Sequence, residues 1–125
     1  KAAVKRKLDA LCRLIVLERD GMRCRRCGKT RWLQWAHVYS RRYLCLRWNP
    51  ANAVTLCPAC HFWQHQNPIE AGEWLNEQVR KNGSSREALA SLLKNPIKPD
   101  LDEVYEHLSA VWEMSQAVRT RAVVR

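Results

Sequence analysis

Two Cys-x-x-Cys pairs, Cys24/Cys27 and Cys57/Cys60, constrain this chain more than anything else in it. A Cys-x-x-Cys turn presents two thiolates to one side of an ion, and a second such turn closes the shell. Zinc favours that arrangement, four thiolates in a tetrahedron with Zn–S about 2.3 Å. Gly28 follows the first pair and Pro58 lies inside the second, both as turn residues. The 29 residues between Cys27 and Cys57 must then fold out and back so that the two knuckles meet. That insert holds an isolated His37 and Asn52, and the second pair runs directly into His61 and His65. A structural Zn²⁺ at Cys24, Cys27, Cys57 and Cys60 is the expectation. A thioredoxin-like redox role would need one pair in a βαβ frame, which is missing. Cys12 and Cys45 are left over and read as small buried hydrophobes.

The rest of the chain reads as α+β. Residues 4–20 form a helix with Leu8, Leu11, Cys12 and Ile15 on one face. Residues 22–31 form a basic knuckle. Trp32–Tyr39 and Asn52–Leu56 read as short strands, with an irregular basic loop from Ser40 to Ala51. Pro58 suits the first turn of a helix carrying His61 and His65. Beyond it the pattern is helical. Ala71, Trp74, Leu75, Gln78 and Val79 share a face. Ser84-x-x-Glu87 and Asp100-x-x-Glu103 open two further helices. The tail after Ala117 is basic and is expected to fray. A chain of 125 residues supports one domain, 1–125, with a core over about 22–66 and a helical extension over about 67–118.

Charge is unevenly placed. Residues 1–50 carry 14 Lys/Arg against three Asp/Glu, or +11, whereas residues 51–125 carry eight against nine, or −1. A basic half of this kind is the electrostatic footprint of nucleic-acid binding. No apolar run reaches membrane-spanning length, and the basic N-terminus lacks a following signal core. The expectation is a cytoplasmic protein with DNA, and no membrane, as its partner.

Trp35-Ala36-His37-Val38, then Asn52-Ala53-Val54-Thr55-Leu56-Cys57-Pro58-Ala59-Cys60-His61, then His65, resembles the HNH endonuclease family, whose core is called the ββα-metal fold. Cys24 and Cys27 match the upstream pair of its zinc-containing branch. The resemblance covers about residues 22–66. Arg47-Trp48-Asn49-Pro50 and Asn67-Pro68 give it a phage- or mobile-element-like cast, implying the cytoplasm of a bacterial or phage-infected host.

The resemblance implies hydrolysis of DNA phosphodiester bonds. His37 corresponds to the general base, and a neutral imidazole can take a proton from water at physiological pH. Asn52 corresponds to the residue that fixes the loop and orients that base. His61 and His65, four apart on a helix, correspond to ligands of a catalytic divalent metal. The family often places a metal-binding Asp or His where this chain has Ala36. Oxygen atoms completing the shell would suit Mg²⁺ or Mn²⁺, while two imidazoles also suit Zn²⁺, Ni²⁺ or Co²⁺. Arg41, Arg42 and Arg47, with Arg25 and Arg26 on the knuckle, are the expected phosphate contacts. One site per chain makes a nick the natural product; a double-strand cut takes a homodimer or two successive nicks. Three rivals share the residues. One is a zinc DNA-binding module without catalysis, favoured by Ala36. Another is a structure-selective nuclease acting on branched DNA. The third is cleavage of RNA, because phosphate contacts do not separate RNA from DNA.

Overall fold

The computed structural model describes residues 2–124 and the side chains of residues 2–121; Lys1 and Arg125, the ends of the 1–125 domain expected above, lie outside the described residues. The order is α1 (Ala2–Arg19), β1 (Gln34–His37), α2 (Leu44–Arg47), a 3₁₀ turn at Pro50–Asn52, β2 (Ala53–Leu56), α3 (Pro58–Gln66), α4 (Pro68–Lys81), α5 (Arg86–Lys94) and α6 (Leu101–Val124). The class is α+β, with one two-stranded antiparallel sheet and a four-cysteine cluster beside it. Among the described residues no helix is long and apolar enough to cross a membrane.

β2 organises the molecule. Its four residues Ala-Val-Thr-Leu are all buried, because both faces of the ribbon are covered. Ala53 packs in a cluster with Leu8, Cys12, Ile15 and Val16 of α1 and Leu108 of α6. Val54 and Leu56, one residue out of phase, pack with Ala36, Leu75 and the cysteines Cys24, Cys57 and Cys60. The register pairs Gln34 with Leu56, Trp35 with Thr55, Ala36 with Val54, and His37 with Ala53. Gln34 and Ala36 therefore share a face, and Trp35 and His37 take the opposite one.

A two-stranded ribbon has open edges, and this fold closes one of them with side chains and one backbone N–H. The Thr55 N–H donates to Asp20 Oδ2 (2.9 Å), and its carbonyl accepts from the Arg25 N–H (2.9 Å). The Ala53 carbonyl accepts from Arg19 Nη2 (2.8 Å) and Asn82 Nδ2 (3.2 Å). Asp20, its side chain only 3% exposed, also pairs with Arg19 and Arg25. Removing one partner of a buried pair strands the other, so Asp20→Ala is expected to lower the unfolding free energy by about 3–5 kcal/mol. Urea unfolding would measure this; a loss near zero would mean that the network is replaceable by water.

The expected elements differ from the observed ones in four places. The first strand spans only Gln34–His37, because the backbone at Trp32 is left-handed and cannot enter a ladder. The Ser40–Ala51 loop contains a helical turn and a 3₁₀ turn rather than being irregular throughout. The cap of α5 is Ser85, whose hydroxyl accepts from the Ala88 N–H (3.0 Å), and not Ser84. The basic tail continues as helix through Val124 instead of fraying after Ala117. Within α6, Leu108, Val104, Val111 and Trp112 pack on the α1 cluster, and the Arg119 guanidinium pairs with Glu18. Cys12 is fully buried, whereas Cys45 is half-buried, its thiol facing the Leu92 carbonyl.

Candidate metal centre and cleft

The four cysteines converge. The Sγ atoms of Cys24, Cys27, Cys57 and Cys60 all lie within 4.8 Å of one another. A tetrahedron with Zn–S of 2.3 Å has sulfurs about 3.8 Å apart, so the donor set fits one ion. Backbone geometry explains the convergence. Gly28 takes φ +82°, which lets its N–H donate to the Cys24 carbonyl (2.9 Å) and curl the first pair. The Arg25 N–H docks that knuckle on β2 through Thr55. Cys57 is the N-cap of α3 with Pro58 at the first position, so Cys60 follows one turn later.

The surroundings favour negative sulfur at Cys24 and oppose it at Cys60. At Cys24 burial opposes ionisation, but N–H groups of Cys27, Cys57 and Arg26 outweigh it and bring the thiol down to about 7. Cys60 is pushed up to about 12 by burial and by the neighbouring thiols, the burden that a cation would lift. Arg26 Nη1 approaches Cys60 Sγ at 3.6 Å, and its guanidinium stacks 3.6 Å from the Trp63 ring.

A separate cleft of about 560 Å³ lies between β1 and α3 and includes His37, Arg41, His61, Gln64, His65 and Arg86 in its lining. On α3 the His61 and His65 ring centroids are 4.9 Å apart, as i, i+4 spacing dictates. His61 Nδ1 lies 2.6 Å from Gln34 Oε1. The amide oxygen only accepts, so Nδ1 carries the proton and Nε2 keeps its lone pair. Burial, then the positive charge of His65, lower the His61 pKa and favour the neutral ligand form.

His37 is fixed in the opposite sense. Its Nε2 lies 3.0 Å from the Arg47 carbonyl, so Nε2 donates and Nδ1 is the basic nitrogen. Burial lowers its pKa, and the charges of Arg41 and Arg47 reinforce this against the Arg47 carbonyl and Asp9. Gln64 Nε2 donates to the His37 backbone carbonyl (3.2 Å), tying β1 to α3.

Asn52 is wholly buried behind the loop. Its Oδ1 accepts from the Tyr39 N–H (2.9 Å), and its Nδ2 donates to the carbonyls of Tyr39 (3.0 Å) and Leu46 (3.2 Å). It fixes the segment that carries the Arg47 carbonyl, and so positions His37; its own backbone carbonyl accepts from the N–H of Val38 (2.8 Å) in the cleft wall. Ala36 is buried with no polar atom to offer.

Asp9 on α1 is the residue that sequence reasoning missed. It accepts from Arg47 Nε (2.9 Å) and Nη2 (2.6 Å), Trp48 Nε1 (2.8 Å) and Arg41 Nη2 (2.8 Å). Burial alone would raise its pKa; the bonds from Arg47 and Trp48 and the charges of Arg47 and Arg41 hold it below the usual carboxylate range. Gln34, Gln64 and Arg86 were missed too. Arg86 caps Tyr39 at 4.7 Å, and its buried Nε–H has no partner among the described residues.

The five arginines expected to face phosphate divide into two sets. Arg47 is committed to Asp9, and Arg25 to Asp20, Gln78 and Asn82; both are largely buried and hold the fold together. Arg26 is exposed but leans on the sulfur cluster. Arg41 and Arg42 remain on the surface, Arg41 with more than half its side chain in solvent.

Comparison of the chain with protein-family models, with curated proteins and with solved structures gives no match.

Proposed function

We propose that the chain is a metal-dependent HNH-type endonuclease that hydrolyses DNA phosphodiester bonds and carries a structural zinc at its four cysteines. The observation that carries this reading is the pairing of two tautomer-fixed imidazoles, His37 and His61, with His65 across one cationic cleft.

The chemistry follows from that pairing. Water attacks phosphorus, the P–O3′ bond breaks, and the departing O3′ takes a proton from solvent, so that the products are a 5′-phosphate and a 3′-hydroxyl. His37 Nδ1 takes the proton from the attacking water, while the Arg47 carbonyl holds the ring still through Nε2. Taking up that proton leaves His37 positive, a form that the Arg47 carbonyl and Asp9 favour. Arg41 and Arg86 offer positive charge to the phosphate. A divalent cation held by His61 and His65 would supply, when bound, further charge at the phosphate and the leaving oxygen. Gln34 keeps His61 in the tautomer that such an ion requires.

The test is cleavage of supercoiled plasmid with Mg²⁺ or Mn²⁺, beside His37→Ala. DNA binding with no cleavage by the parent would instead favour a zinc DNA-binding module, the reading that buried Ala36 supports.

Gln34 provides a separate check. Gln34→Leu is expected to weaken Mn²⁺ or Ni²⁺ binding at the histidine pair by about 10- to 100-fold, and Gln34→Glu to recover it. Titration calorimetry on zinc-loaded protein reads this; equal affinity in parent and Gln34→Leu would remove Gln34 from the site.

A further inference from the structure

Trp32 combines two features that bring the fold no visible return. The residue is 80% exposed, and its backbone is left-handed at φ +58°. A bulky side chain pays for that conformation in strain, and such strain concentrates at functional sites. The ring is also held out by the structure around it. Ahead of it, the Lys29 carbonyl accepts from the Cys24 N–H (2.8 Å). Behind it, the Leu33 carbonyl accepts from Arg13 Nη2 (3.1 Å), and the Leu33 side chain packs into the core beside the cysteines.

Its surroundings specify a partner. Trp32 borders an open groove with Lys29, Arg31 and Pro58 at the start of α3. From Gly21 to Ile69 the chain contains no Asp or Glu and eight Lys or Arg. A flat aromatic face between cations fits a polyanion that carries its own flat rings, because the base stacks while the phosphates meet the cations. Position agrees. Pro58, His61 and His65 are three and seven apart and share one stripe of α3. At a rise of 1.5 Å per residue, Pro58 is about 4.5 Å along the axis from His61 and about 10 Å from His65. Stacked nucleotides step by about 3.4 Å, so a base at Trp32 is a few nucleotides at most from a phosphate at the histidines.

We infer that Trp32 is a stacking platform for an unpaired DNA base next to the cleft, so that the chain takes DNA with locally single-stranded character. This inference rests on the DNA reading proposed above. Paired bases hide both faces in the duplex; an unpaired one has a face to give.

The experiment measures binding of fluorescein-labelled dT20 and of a 20-base-pair duplex, without added divalent metal, to the parent, Trp32→Ala and Trp32→Phe. Zinc content and melting temperature establish that each variant is folded. Trp32→Ala is expected to bind dT20 about 5- to 150-fold more weakly, with duplex binding changed less than twofold and Trp32→Phe near the parent. A 2-aminopurine placed in the oligonucleotide should be quenched by the parent and not by Trp32→Ala. Unchanged dT20 binding in Trp32→Ala, or an equal loss on duplex, overturns the platform; tighter binding of rU20 than dT20 overturns the assignment to DNA. Plasmid nicking separates the two readings. A parent that binds dT20 through Trp32 but never nicks keeps the platform and loses the nuclease. A parent that nicks while Trp32→Ala binds dT20 normally does the reverse, and a parent that binds neither DNA loses both.

Discussion

His37→Ala is expected to lower plasmid nicking by about 10²–10⁴-fold, the usual worth of a positioned general base, while zinc content and melting stay those of the parent. The effect should be large because the other basic nitrogens of the cleft, on His61 and His65, are the proposed metal ligands. His61 has its Nδ1 committed to Gln34, and Asp9 is locked by Arg41, Arg47 and Trp48. The same group fixes the pH response. Burial first, and the neighbouring arginines with it, lower the His37 pKa below the ordinary 6.5. The active form is the neutral one, which exists above that lowered value. The acid limb of kcat/KM should therefore fall below pH 6.5 and disappear from the residual rate of His37→Ala. Equal nicking by parent and mutant would mean that His37 is not the base. An acid limb above 6.5 would mean that something other than His37, buried as it is, governs the rate.

Stripping metal from the cysteine cluster, or replacing Cys57 with Ser, is expected to unfold the sheet and α3. Apparent zinc affinities at structural sites are worth about 10–16 kcal/mol, as much as the whole stability of an ordinary domain, about 5–15 kcal/mol. Here the cysteines are also core residues. Cys24, Cys57 and Cys60 pack with Ala36, Val54, Leu56 and Leu75, so four unmetallated thiols would leave repelling or desolvated sulfur in the middle of that cluster. Circular dichroism melts of zinc-loaded and chelator-treated protein, with metal content measured on the same samples, test this. A metal-free chain that melts as cooperatively and as high as the loaded one would remove the staple. Cys12→Ser makes the comparison, since Cys12 belongs to the α1–α6 cluster away from the four sulfurs.

Much of this was legible along the chain because it is written in short spacings. Two Cys-x-x-Cys pairs, one followed by Gly28 and one containing Pro58, specify two turns, and the turns do bring their sulfurs together. His61 and His65 four apart specify one helix face, and their rings stand side by side. Helices α1, α4 and α6 follow from periodicity, with bounds shifted by a few residues where Pro68 starts a helix earlier than its apolar face does. The strand at Trp32 was overextended because its aromatic and β-branched composition outvoted a backbone angle that composition does not encode.

The basic half of the chain shows where such reading stops. Its charge total marks a cationic surface, yet it does not say which arginines face outward. Only three carboxylates lie among residues 1–50, and each takes an arginine: Asp9 holds Arg41 and Arg47, Glu18 holds Arg119, and Asp20 holds Arg19 and Arg25. Scarce acids amid many bases were the available signal, but their partners are up to a hundred residues away. Local spacing thus determined the turns, the helix faces and the ligand types, because each depends on neighbours within a few bonds along the backbone. Tertiary structure decided which nitrogen of His37 is basic, which arginines remain on the surface and which face Trp32 shows, because each depends on a carbonyl, carboxylate or guanidinium that only folding brings within hydrogen-bond reach.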